Sequence, residues 1–134
     1  LLGLSQTRFD SSAGLDSADG YSTAYDIMQM AKAALQYDFI RQTVGTKEKE
    51  IVSISGLFKH TLKTTNELLG NESYKFKGIK TGTTPGSGQS FVGLVELTNG
   101  VELITVILNS TDRFQETKTM VEWASQAYDW NIQE

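Results

Sequence analysis

The spacing of apolar residues changes along this chain, and each change marks an element. Within YSTAYDIMQMAKAALQY, Ala24, Ile27, Met28, Ala31 and Leu35 recur at helical intervals. That spacing predicts a helix N-capped by Ser22, with Asp26 near the positive end of its dipole. DFIRQTV predicts a short helical turn after it. KEKEIVSI and GLFKHTLK predict two short strands. TTNELLGNESYKFKG predicts a turn of helix followed by loop. Ahead of the first helix, DSSAGLDSADG (10–20) is turn chemistry of Asp, Ser and Gly.

The strongest signal lies further on. SFVGLVEL and VELITVIL flank Asn99–Gly100, a pair suited to a two-residue hairpin turn with both central residues at positive φ. Both strands are apolar on both sides: Phe91, Val95 and Leu97 against Val92 and Leu94, then Leu103 and Ile107 against Ile104, Val106 and Leu108. A solvated face would alternate with polar residues, so both faces are covered. In DRFQETKTMVEWASQAYDW, Phe114, Thr117, Met120, Val121, Ala124 and Tyr128 form a helical stripe that supplies part of the cover. Tyr21, Tyr25, Trp123 and Trp130 read as packing residues. The fold class is α+β, an antiparallel sheet flanked by helices. The helices in view are too few for both faces. A missing N-terminal half or a second copy is expected to cover the remainder, and the chain (1–134) reads as a partial domain.

Composition narrows the partners. With 134 residues, 39% apolar and 21% charged, the chain suits one soluble domain. A net charge of −4 without a basic cluster disfavours a nucleic-acid surface or an anionic membrane as the main partner. The absence of Cys excludes disulfide and thiol chemistry, and the single His60 lacks neighbours at metal-ligand spacing, so no metal is expected. The opening LLGLSQTRF lacks a Met and reads as the continuation of an earlier segment.

KGIKTGTTPGSGQSFVG (77–93) carries the chemistry. KFKGIKTG should form a strand beside the hairpin, and an ammonium on a strand needs a reason. Its ordinary reading is a Lys80 stem packed on the sheet edge with its head in water. The sharper reading uses the edge itself. Adjacent side chains point to opposite faces, so Lys80 and Thr81 can share one ligand only if it lies along the strand. An extended peptide added there would meet backbone groups, the Thr81 hydroxyl and the Lys80 charge. Gly82 permits close approach. A terminal carboxylate suits the lysine–hydroxyl pair, and the backbone N–H of Thr83 could face a developing oxyanion.

K-T-G is also the third motif of β-lactamases and penicillin-binding proteins. The chain resembles the D-alanyl-D-alanine carboxypeptidases among them across nearly its whole length, with motifs in the right order. LGLSQTRFDSSAGLDSADGYSTAYDIMQMAKAAL resembles the family's G-L-x-x-T-x-F opening, G-L-D loop and Y-S-T-A-x-D helix. TTNELLGNESYKFKGIKTGTTPGSGQSFVG resembles its T-N-x-L-L and G-I-K-T-G-x-T strand, and VELITVILNSTDRFQETKTMVEWA its closing strand, arginine turn and final helix. The resemblance implies a β-lactamase/transpeptidase-like fold. It also implies a serine in S-x-x-K that attacks the penultimate D-Ala carbonyl of peptidoglycan stem peptides, giving an acyl-enzyme that water hydrolyses. Carried over, Lys80 is the third-motif lysine, Thr81 holds the substrate carboxylate, Thr83 is an oxyanion donor, and Arg113 lies near the substrate pocket. No cofactor is implied. A location outside the bacterial cytoplasmic membrane and binding of β-lactam antibiotics by the complete enzyme are.

The departures are specific. Neither S-x-x-K nor S-x-N occurs: Ser5 is followed by Arg8, Ser55 has Lys59 at the wrong offset, and Thr46 precedes Lys49 in a solvated run. The loop PGSGQSF lacks the Ala-Gly pair common after the third motif. The leading expectation is the C-terminal catalytic-domain portion of a serine D-Ala-D-Ala carboxypeptidase, inactive alone. The alternatives are a non-catalytic module that binds peptide ends or a partner protein, and a β-lactamase relative. Thr65–Asn66 is expected to cap a turn, or to touch the rim of the site.

Overall fold

A computed structural model of the chain describes residues 2–130. Its elements are α1 (Ala24–Ala34), α2 (Asp38–Val44), β1 (Glu48–Val52), β2 (Lys59–Lys63), β3 (Lys75–Thr84), β4 (Gly88–Glu96), β5 (Glu102–Ser110) and α3 (Arg113–Ala127). The strands β3, β4 and β5 form an antiparallel sheet in that order, and β1 pairs with β2 in a separate hairpin.

The sheet carries a helix of this chain on each face, although the sequence reads the helices in view as too few for both, and Leu108 of β5 is left 42% exposed. Phe91, Val95 and Leu97 of β4 and its following turn join Phe76, Leu68 and Val121 of α3 in one core, where Phe91, Val95 and Val121 are fully buried. Each such side chain stabilises the fold by roughly 1.5–3 kcal/mol relative to exposure. Leu94 points the other way and is equally buried. On that side α1 packs across β4 and β5, burying Ala31, with Leu35 at its C-cap. Within α3 the stripe ends early. Thr117 and Val121 are buried, whereas Tyr128 lies beyond the helix and is largely exposed.

Several local expectations change. Thr23, not Ser22, caps α1: its hydroxyl accepts from the Asp26 N–H at 3.2 Å. The Ser22 hydroxyl is 2.9 Å from that of Thr7 instead. The β4–β5 turn is longer than the two-residue form. The Gly100 N–H donates to the Leu97 carbonyl, the Val101 carbonyl accepts from the Leu97 N–H, and Gly100 stands at φ +83°. This is a three-residue loop in which only the glycine needs positive φ. Residues 67–70 form turns without a helix. Tyr21, Tyr25 and Trp123 are exposed and do not pack in the core, while Trp130 rests against it.

A polar anchor fixes the N-terminal segment. Asp26 is buried, and its carboxylate accepts from the Gln6 N–H at 2.9 Å and the Thr7 hydroxyl at 2.7 Å. Arg8 and Tyr21 exchange backbone hydrogen bonds beside it. A buried carboxylate is tolerated when donors surround it, so Asp26 sets where the 5–9 segment lies on α1.

Candidate functional site on the edge strand

The sheet order leaves β3 at an edge. Its first half is covered by α2, where Val44 sits against Gly78, whose φ is +150°. A Cβ at Gly78 would lie 2.7 Å from Val44 Cγ2. A Cβ at Gly82, by contrast, would meet nothing within 4 Å. The second half of β3 therefore has the open flank that an added strand or peptide needs.

The register with β4 assigns the faces. Lys80 opposes Val92 and Thr81 opposes Phe91, so Lys80 lies on the α1 side of the sheet and Thr81 and Thr83 on the α3 side. Lys80 is exposed, and its ammonium donates to the carbonyl of Thr81. Thr81 is buried, with its hydroxyl 2.5 Å from that of Thr65. The two polar heads expected to converge on a ligand are thus each engaged inside the chain. A ligand on the edge must replace the Lys80 contact and join the Thr81–Thr65 pair.

Arg113 is brought in from outside the strand. Asp112 caps α3, its carboxylate accepting from the Gln115 N–H at 3.1 Å. This fixes the first residue of the helix so that its guanidinium crosses to β3. There Nη1 donates to the Gly82 carbonyl at 2.8 Å and to the Thr83 hydroxyl at 2.6 Å. The guanidinium carbon lies 4.8 Å from the centre of the Phe114 ring, which meets Phe91 edge-on at 5.4 Å. Nε of Arg113 is buried without a partner among the described residues. The structure groups Thr81, Gly82, Thr83 and Arg113 on one side of the strand end and leaves Lys80 on the other.

Thr65, expected to cap a turn or touch the rim of the site, and Asp16, to which sequence reasoning gave no site role, complete this end of the molecule. Thr65 is the contact of Thr81, and the neighbouring Asn66 caps the next turn through its side-chain oxygen, 3.1 Å from the Leu68 N–H. Both readings of that dipeptide therefore apply. Asp16, from the Gly14–Leu15–Asp16 loop, accepts from the Thr84 hydroxyl at 2.5 Å, the Gly86 N–H at 3.0 Å and the Ser87 hydroxyl at 3.2 Å. The Thr84 hydroxyl and then the Gly86 N–H hold its carboxyl below the usual range. Asp16 thereby fixes the β3–β4 turn just past Thr83. A cleft of about 440 Å³ opens beside this contact, lined by Phe9, Leu15, Asp16, Tyr21, Ser87 and Ser90 among others.

Comparison with known proteins identifies the family. A sequence model of the family described as D-alanyl-D-alanine carboxypeptidase matches residues 1–112. The chain is 33% identical over 132 residues to the D-alanyl-D-alanine carboxypeptidase DacC of Escherichia coli, covering 96% of this chain and 31% of that protein. It is 31% identical over 134 residues to DacF of Bacillus subtilis, with 96% and 33% covered. The solved DD-transpeptidase of Streptomyces K15 superposes with a TM-score of 0.83 at 30% identity, over 92% of this chain and 49% of that one. The chain spans about a third of the length of these curated relatives.

Proposed function

Because the chain belongs to the D-alanyl-D-alanine carboxypeptidase family, we propose that it supplies the substrate-holding strand of a serine-type D-Ala-D-Ala carboxypeptidase. The observation that carries this reading is the end of β3. It presents a free edge, a hydroxyl at Thr81, the ammonium of Lys80 and a guanidinium fixed on Gly82 and Thr83. A stem peptide ending in D-Ala-D-Ala adds to that edge as a strand. Its terminal carboxylate takes the Thr81 hydroxyl and the field of Arg113. The Thr83 N–H faces the carbonyl oxygen as it becomes an oxyanion, and Lys80 lowers the electrostatic cost of the charge that forms there.

The nucleophile comes from S-x-x-K, which is not among these 134 residues. In the longer protein that serine attacks the penultimate D-Ala carbonyl. The ester C–O bond forms as the amide C–N bond breaks, and the terminal D-Ala leaves as its amine carrying the proton that the serine hydroxyl gives up. Water then cleaves the ester and restores the serine. The reaction takes place on the outer side of the bacterial cytoplasmic membrane, and β-lactams acylate the same serine. Among the described residues no helix is long and apolar enough to cross a membrane.

The test has two arms. The 134-residue chain should form no covalent adduct with a fluorescent penicillin by intact mass; an adduct would overturn the assignment of the nucleophile. In the longer protein, Thr81→Val and Arg113→Ala should each lower kcat/KM for D-Ala-D-Ala peptides by about 10–100-fold, the scale of a lost charge-assisted hydrogen bond. Peptides ending in an amide should be affected far less. Equal losses on both substrates would remove the carboxylate role. The lack of S-x-x-K and S-x-N here also favours a second reading, a binding module without turnover. Calorimetric binding of a D-Ala-D-Ala peptide by a full-length protein that forms no acyl-enzyme would select it.

A further inference from the structure

Both of the chain's tryptophans fall within residues 123–130, and Tyr128 joins them into one row of rings. The Tyr128 ring meets Trp123 edge-on at 5.5 Å and Trp130 at 5.4 Å, tilted by 56°. Trp123 and Tyr128 are 57% and 54% exposed. Trp130 alone of the three rests against the core. Rings this large, left in water side by side, mark a contact surface.

The row is held in place. The Trp130 indole N–H donates to the Ala124 carbonyl at 2.9 Å, and the Trp130 backbone carbonyl accepts from the Asn99 side-chain amide at 2.6 Å. The β4–β5 turn thereby pins the segment that follows α3. Beside the row opens a cleft of about 670 Å³, to which Tyr74, Tyr128 and Trp130 contribute rings. Its other walls are polar. Glu72, Ser73 and Thr98 line it and are exposed, and Lys75 and Glu96, which also line it, pair with each other at 2.5 Å. The row continues past the cleft to Trp123.

We propose that this cleft and row bind an oligosaccharide, a β-linked chain of amino sugars. A pyranose ring presents C–H faces that lie on aromatic rings, and a rim of hydroxyls that needs hydrogen-bond partners. Aromatic rings with hydroxyl and carboxylate groups beside them meet both needs, and a row longer than the cleft suits a polymer. A quaternary ammonium wants rings that close around it as a cage, whereas these stand in an open row. A wholly apolar partner would strip water from the polar wall without replacing its hydrogen bonds. The choice of amino sugars rests on the carboxypeptidase reading, because the stem peptides of peptidoglycan hang from such a glycan. The cleft lies at the Lys75–Glu96 end of the sheet, eight positions along β3 from Thr83, or about 25 Å at strand spacing. Binding there anchors the polymer without touching the reacting end of the strand.

Titration of the chain with the N-acetylglucosamine tetramer, followed by tryptophan emission and calorimetry, tests this. Emission should shift and saturate at roughly millimolar tetramer. Tyr128→Ala should weaken binding about tenfold with circular dichroism unchanged, since Tyr128 lies beyond α3 and is exposed. Glu72→Gln combined with Ser73→Ala, on the polar wall, should weaken it too, and this variant decides the matter if Tyr128→Ala misfolds. In the longer protein Tyr128→Ala should lower kcat/KM about tenfold on glycan-linked stem peptides and leave it unchanged on free D-Ala-D-Ala peptides. The proposal is overturned if the tetramer gives no heat and no emission shift with the chain, or no heat with the longer protein. It is equally overturned if the folded variants bind the tetramer as well as the parent, if turnover of the free peptides falls as far as that of the glycan-linked ones, or if tetramethylammonium displaces the tetramer. Failure of the Thr81 and Arg113 variants would instead remove the catalytic reading and leave a measured saccharide site standing.

Discussion

Phe91 shows how one side chain connects the core to the site. It is fully buried, packs edge-on against Phe114, and pairs across the ladder with Thr81. Phe91→Ala should cost about 3–5 kcal/mol in urea unfolding, and Phe114, the ring under the Arg113 guanidinium, should lose its edge-on partner. Asp26 acts by a different force. Asp26→Ala strips the acceptor from the Gln6 N–H and the Thr7 hydroxyl, and about 2–3 kcal/mol of destabilisation is expected. Hydrogen exchange should rise first at residues 5–9. Sequence spacing identified Asp26 only as a helix-start acid, because its partners lie about twenty positions away.

At the scale of elements, the edge strand depends on α2. The Val44–Gly78 contact tolerates no Cβ, so Gly78→Ala should destabilise the chain and loosen α2 from β3. Adding Val44→Ala should recover part of the loss; no recovery would assign the effect to backbone strain alone. The strands β4 and β5 and the helices α1 and α3 were legible as elements because their apolar periods are strong and local. The turn at Asn99–Gly100 was placed correctly but assigned the wrong length, since its two-residue and three-residue forms use the same glycine. The site strand was legible only through its motif. Nothing in the order Lys80–Thr81–Gly82 states that Lys80 turns toward one face while Thr81 meets Thr65 on the other.

Over the whole molecule, charge ties the layers at the end of the sheet remote from Thr83. Lys77 bridges Glu96 and Glu102, Lys75 pairs with Glu96 at 2.5 Å, and Arg41 of α2 holds Glu102 at 2.9 Å. Lys75 and then Lys77 depress the Glu96 carboxyl to about 2, and Lys77 followed by Arg41 lowers that of Glu102. A carboxyl whose folded pKa lies below its unfolded value binds fewer protons when folded. Its stabilisation is complete above the unfolded pKa and is lost as pH falls through the folded one. The urea midpoint should therefore decline from about pH 4.5 toward pH 2, and Glu96→Gln should flatten that decline. An unchanged slope in the variant would show that Glu96 does not contribute to the acid limb.

By itself the sequence determined the α+β class, the sheet with helices on both faces and the strand that carries Lys80. Those features follow from local periodicity and from a motif whose residues are contiguous. Tertiary structure alone decided that Arg113 grips Gly82 and Thr83, that Asp16 fixes the turn beyond them, and that the β1–β2 tip stands free. Each depends on which residues distant in the chain become neighbours, and that is set by how the layers pack rather than by any interval along the backbone.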